Sequence, residues 1–183
     1  MSRNAKAVFN NLASQYVLPV FGVGITVSPT ERRICGDSQL AESLLRTFQQ
    51  YSRLSILWYL INSKDVPLSG NLINPDNFSG GSIFKKGSHV LPFNRVLERF
   101  GKDKIGFLAK GRELGGDQLG YADASFQLFP FPRVPVVLLL WLDDGEFPAR
   151  ANILFDATCS KHLPIDVIWS TAMMSVLLCS SEK

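Results

Sequence analysis

The sequence predicts an α+β domain. A mainly antiparallel sheet, made of an N-terminal hairpin and a three-strand C-terminal meander, packs against four to five helices. Three observations predict it. Apolar residues keep a helical period over about 38–62. Short apolar runs at 124–129, 134–142 and 149–155 are bounded by turn residues, as strands are. The order is hairpin, helices, antiparallel strands, helix, and not the strand–helix alternation of a parallel sheet. A chain of 183 residues fits one domain, 1–183. Its 46% apolar and 19% charged residues exclude intrinsic disorder.

Taken in order, residues 4–14 are expected as a short helical arm, with Ala7, Val8 and Leu12 on one side. Tyr16–Phe21 and Val23–Val27 read as two strands around Gly22, and Pro19 suits an edge strand because it cannot donate to a ladder. Asp37 or Ser38 can cap a helix reaching about Asn62. Its last turns, through Leu57, Trp58, Leu60 and Ile61, are apolar nearly all round, so that end is expected to be the most buried. Residues 62–90 are rich in Gly, Pro, Asn and Ser and form a long irregular connection, with one short strand at Leu72-Ile73.

Pro92 starts a helix to Phe100 that Gly101 stops. Asp103 caps the next helix, which Gly115-Gly116 ends. The strands follow, the last two joined by a turn of about five residues through Asp143-Asp144-Gly145-Glu146. Val136–Trp141 is apolar at every position and belongs at the sheet centre. Pro164 opens the last helix, Ile165–Leu178.

The formal net charge of +3 is too small to imply nucleic acid by itself. Charge is segregated, however: residues 85–112 carry eight basic and two acidic side chains, and residues 113–183 four and nine. That middle segment is either a solvated helical surface or a site for an anion or RNA. Three scattered cysteines, Cys35, Cys159 and Cys179, with no CxxC spacing, argue against a thiolate metal site built by this chain alone. The N-terminus has no signal-peptide core, and the longest apolar run, Val134–Leu142, is too short to span a membrane. A cytoplasmic protein with reduced thiols, off the membrane, is expected.

Several blocks then occur in a characteristic order: Gly115-Gly116-Asp117, Tyr121–Phe126, Pro132-Arg133-Val134-Pro135, Leu140–Pro148 and Ile153-Leu154-Phe155-Asp156. Together with Trp58-Tyr59-Leu60, Pro67-Leu68-Ser69-Gly70 and Gly80-Gly81 before Phe84, they resemble the uncharacterised domain-of-unknown-function family 3786 of anaerobic bacteria and archaea. The resemblance covers about residues 15–180. Some members carry a fused iron–sulfur domain, which implies anaerobic cofactor or one-carbon chemistry and an iron–sulfur or corrinoid protein as partner. This chain lacks the cysteine cluster of those fusions, so a cluster would have to come from the partner. The family offers no catalytic residue to carry over.

Four places hold candidate site residues. Asp143, Asp144 and Glu146, with Asp156 one strand away, are expected to crowd one end of the sheet. There they are either hard-cation ligands or an acid–base pair, or a solubilising turn with Asp156 bonded to backbone. Their spacing is not that of a calcium loop. Gly115 and Gly116 with Asp117 and Asp123 are either a helix cap or a close backbone approach to a ligand. The loop through Gly80, Gly81, Lys85, Lys86 and His89 has phosphate-cradling residue types but not the Walker order, and reads otherwise as a surface loop or lid. Arg133, between two prolines, is a further pocket candidate.

His89 and His162 lie far apart and do not form a zinc-protease motif. Cys35 is expected as a buried, inert thiol at the end of a strand; the nearby Arg32 and Arg33 would activate it if it were exposed. Aromatic residues, Tyr16, Trp58, Tyr59, Phe131 and Trp169 among them, are either core or the lining of a planar-cofactor pocket. With no strong catalytic motif, the expected function is a non-catalytic small-ligand-binding or accessory protein. The alternatives are an enzyme using the acidic cluster and an anion or RNA binder using residues 85–112.

Overall fold

The computed structural model describes residues 2–85 and 87–181. Helix α1 (Ser2–Ala5) ends early because Lys6 turns into left-handed backbone (φ 53°), and strand β1 (Val8–Asn10) follows where a longer helix was expected. Strands β2 (Gln15–Val20) and β3 (Val23–Ser28) form the predicted hairpin. Phe21 and Gly22, at φ 48° and 77°, supply the two left-handed residues such a turn needs. The buried Phe21 is held there by its N–H, which donates to the Phe129 carbonyl at 3.1 Å. Strand β2 lies inside a four-stranded antiparallel sheet, between β1 and β3, so Pro19 is not on an edge strand. The proline is tolerated because β1 pairs only as far as Val17. Strand β4 (Arg33–Cys35) completes this sheet beside β3.

Of the two expected caps, Asp37 and Ser38, it is Ser38 that serves, its Oγ accepting the Ala41 N–H at 3.1 Å. The single helix expected to Asn62 is interrupted, however. Helix α2 (Gln39–Glu42) passes into a π-helical turn, Ser43–Thr47, and restarts after Phe48 as α3 (Gln49–Asn62). Such a break orphans carbonyls. Ser52 Oγ donates to Leu44 O at 2.6 Å, and the Arg53 guanidinium donates to Leu45 O at 3.3–3.4 Å.

The second sheet has five antiparallel strands in the order β5 (Leu72–Ile73), β9 (Arg150–Asp156), β8 (Val134–Trp141), β7 (Ala124–Phe131) and β6 (Asp117–Leu119). Strand β8 is central and buried along its length up to a half-buried Trp141, as its continuous apolar run predicts. Helices α4 (Phe93–Phe100), α5 (Lys104–Glu113) and α6 (Ile165–Ser180) pack against this sheet, and α3 packs on α6. The chain is therefore α+β, with two antiparallel sheets and six α-helices among the described residues.

Gly111 explains how closely α5 meets β7, because a Cβ there would stand 2.5 Å from the Phe126 ring. Among the described residues, no helix is long and apolar enough to cross a membrane.

Candidate functional site

Helix α3 buries Ile56, Tyr59 and Leu60, with Ser52 and Ser55 as the small residues of the same buried set. Its other apolar side chains do not follow. Leu54, Leu57, Trp58 and Ile61 stay exposed, at spacings of three and four residues, and so form one stripe. The end of the helix expected to be most buried is thus half in solvent. A helix that is apolar all round but has partners on one side only must leave a face uncovered.

Leu57 and Ile61, with the buried Leu60, form one wall of a groove of about 580 Å³. Tyr16 of β2, Val27 of β3 and Ile34 of β4 form the facing wall. Arg32 and Arg33 border it at the β3–β4 turn, and none of the described residues lining it is acidic. Its volume lies within the roughly 300–1,000 Å³ of small-molecule sites, and its apolar lining with a few polar groups is of the usual kind. A second cavity of about 490 Å³, bounded by Ser38, Gln39, Lys110 and Glu113, differs in character. There the buried Lys110 ammonium is already paired, 3.1 Å from Glu113.

A polar clamp fixes the groove wall from behind. Arg133, predicted as a pocket residue, is spent on the fold. Its backbone N–H donates to Tyr59 Oη at 3.1 Å, its Nε to Asn4 O at 2.7 Å and its Nη1 to Val66 O at 3.2 Å. Its Nη2 pairs with Asp65. The Tyr59 ring is stacked on Phe131 at 4.7 Å, and burial pushes its hydroxyl well above the usual phenol range.

Beyond α3, residues 63–71 run as a strap. His162 Nδ1 accepts the Lys64 N–H at 3.2 Å. Burial first, and the nearby Arg133 and Lys64 charges second, hold the His162 imidazole below its usual range. At the far end of the strap, Asp156 accepts from Ser69 N and Oγ, from Gly70 N, and from Thr158 N and Oγ1, all at 2.6–3.2 Å. Burial works to raise its pKa, but these donors, Thr158 first and Ser69 next, outweigh it and the carboxyl is held below the usual range.

The acidic cluster expected at one end of the sheet does not assemble. Trp141 pairs with Arg150 and Val136 with Phe155, so Asp143, Asp144 and Glu146 sit at one end of β9 and Asp156 at the other. Six residues of strand separate them, about 20 Å. Asp143 ties its turn to the α4–α5 corner, donating N–H to Gly101 O at 2.9 Å and lying 3.5 Å from Lys102 Nζ. Asp144 Oδ1 accepts the Phe147 and Glu146 N–H groups at 2.7 and 3.0 Å, which holds its pKa down. Glu146 is exposed. Among the described residues, no group of three or more His, Cys, Asp or Glu side chains is placed to hold a metal ion.

Of the remaining candidates, the glycines, Asp123 and His89 have structural roles of their own. Gly115 (φ 74°) and Gly116 close α5, the latter donating to Gly111 O at 2.8 Å. Asp117 opens β6 in an exposed position, and Asp123 Oδ2 accepts the Leu142 N–H at 2.9 Å. Gly80 (φ 80°) faces Ile165, and Gly81 lies over the Pro75–Asp76 backbone, where a Cβ would meet Pro75 O at 2.3 Å. Lys85 ends a 3₁₀ turn, and Lys86 lies outside the described residues. His89 packs on Trp169 and accepts its indole N–H through the backbone carbonyl at 2.7 Å. The 80–89 loop therefore rests on α6 through Ile165 and Trp169.

Residues 1–177 match a family described as a domain of unknown function, DUF3786. The chain belongs to that family. No curated protein and no solved structure matches it. Within this DUF3786 chain, four of the blocks that carry the resemblance meet at the clamp: Tyr59, Ser69-Gly70, Arg133 and Asp156. They hold α3 and its strap in place, and the groove lies in front of them.

Sequence reasoning missed the groove, although its signal was present. The spacing of Leu54, Leu57, Trp58 and Ile61 marks a second apolar face opposite Ser52, Ser55 and Tyr59.

Proposed function

We propose that this chain is a non-catalytic binding protein, and that the groove between α3 and the N-terminal sheet receives an apolar ligand. The observation that carries the reading is the solvent-facing apolar wall of Leu57 and Ile61 across from Tyr16, Val27 and Ile34. Contiguous exposed apolar surface marks sites of interaction. The clamp behind the wall favours a preformed site, because Tyr59 is fixed by Arg133 and the strap by Asp156 and His162.

As an accessory protein in anaerobic cofactor or one-carbon metabolism, it would work in the cytoplasm beside an iron–sulfur or corrinoid protein. The family resemblance supports that part of the reading, and anaerobic co-purification from cells tests it.

The groove is tested with the neutral dye Nile red. The wild-type chain is expected to bind it saturably with a rise in fluorescence, and Ile61→Glu to abolish binding. Ile61 is 57% exposed, so the substitution should leave the fold intact by circular dichroism. Dye binding that survives Ile61→Glu in a folded variant would remove the groove from consideration.

A further inference from the structure

Resting on the groove as the binding site, we propose that its ligand is an anionic amphiphile: a single apolar chain with a carboxylate or phosphate at one end, seated against Arg32. The walls are apolar, and apart from Tyr16 the polar residues bordering the groove all come from 28–33. Two of them are arginines, and none of the described lining residues is acidic.

The two arginines are not equivalent. Arg33 is paired with Glu31 at 3.1 Å. Arg32 lines the groove with no hydrogen bond or ion pair to its guanidinium among the described residues. Its backbone is left-handed (φ 51°) and closes a tight turn, its N–H donating to Pro29 O at 3.3 Å. Glycine or asparagine suits that backbone better than arginine does. The guanidinium presents a planar fork of donors matched to carboxylate or phosphate oxygens.

A wholly apolar ligand leaves this cation unused, and a polar anion leaves the apolar walls unused. A molecule carrying both uses all of the groove. The reaction class that consumes or supplies such a molecule is acyl or alkyl-phosphate metabolism.

The test is displacement of Nile red from the full chain by dodecanoate, dodecyl phosphate and dodecanol, which share one tail and differ in the head. The anions are expected to displace the dye at about tenfold lower concentration than dodecanol. Added salt should shrink that margin, because the head meets Arg32 at a solvent-exposed rim. Arg32→Gln should bring the margin to about twofold. The stronger of the two anions identifies the head group.

Equal displacement by dodecanol and the anions in the wild-type chain overturns the inference while the apolar groove stands. Failure of the dye to bind at all removes the binding reading and this inference with it. A native mass of two chains that Ile61→Glu returns to one assigns the groove to a second copy and also overturns it.

Discussion

Asp156 is the residue whose removal the structure values most sharply. It is 1% exposed and accepts five hydrogen bonds from three residues. Asp156→Ala leaves three backbone N–H groups, of Ser69, Gly70 and Thr158, without their acceptor. A single hydrogen bond to a charged acceptor is worth about 1.5–3 kcal/mol. The five do not add, because Ser69 and Gly70 are exposed and water can reach their amides. We therefore expect a loss of about 3 kcal/mol at pH 7, read by urea unfolding. For a chain of this length that is a fall in Tm of about 6–12 °C. Asp156→Asn should lose nearly as much, since its NH₂ replaces an acceptor with a donor facing other donors. The carboxyl is held below its usual range in the fold, so its contribution is present above the unfolded value of about 3.9 and is lost as pH falls through the folded value. The gap between wild type and variant should close below about pH 4. A loss under about 1 kcal/mol at pH 7 would refute the clamp.

Three further outcomes follow from the same geometry. His162 is a buried base held below its ordinary range, so the unfolded chain takes up its proton first, and stability should fall as pH drops from about 6.5 toward the folded value. His162→Gln, which keeps an acceptor for the Lys64 N–H, should flatten the slope of Tm against pH, and an unchanged slope would exclude His162 as its source. Gly111→Ala puts a Cβ 2.5 Å from the Phe126 ring and should cost about 1–3 kcal/mol by urea unfolding, with a neutral result showing that α5 can shift off β7. Of the three thiols, Cys159 and Cys179 are buried, and burial pushes the Cys179 thiol up to about 12. Ellman's reagent should therefore titrate Cys35 alone in the native chain and all three in denaturant, and rapid native reaction of more than one would contradict this packing.

Local chemistry made much of this fold legible in the sequence. The Ser38 and Asp103 caps, the Phe21-Gly22 turn, the Gly115-Gly116 stop and the central strand each follow from a few adjacent residues. What escaped depends on pairings that propensity and periodicity do not display, even between near neighbours in the chain. The π-helical turn at Ser43–Thr47 is stabilised by Ser52 and Arg53 reaching back to Leu44 O and Leu45 O, which periodicity does not display. Strands β4 and β6 are three residues each and owe their existence to the neighbours they pair with.

The site was read less well than the fold, for a physical reason. Acidic residues near a hairpin suggested a cluster, but antiparallel register carries Asp156 to the far end of its strand. An apolar helix end suggested burial, but only the face of Ile56, Tyr59 and Leu60 found neighbours. Exposure of the opposite face is a property of the assembled chain, and it is what makes the groove.

The most direct measurement is amide chemical-shift mapping of the ¹⁵N-labelled chain titrated with dodecanoate. The groove predicts saturable shifts concentrated at Leu57, Leu60 and Ile61 on α3 and at Val27, Arg32 and Ile34 across from them, with Lys110 and Glu113 unmoved. Shifts centred on Lys110, or spread over the surface without saturation, would contradict it.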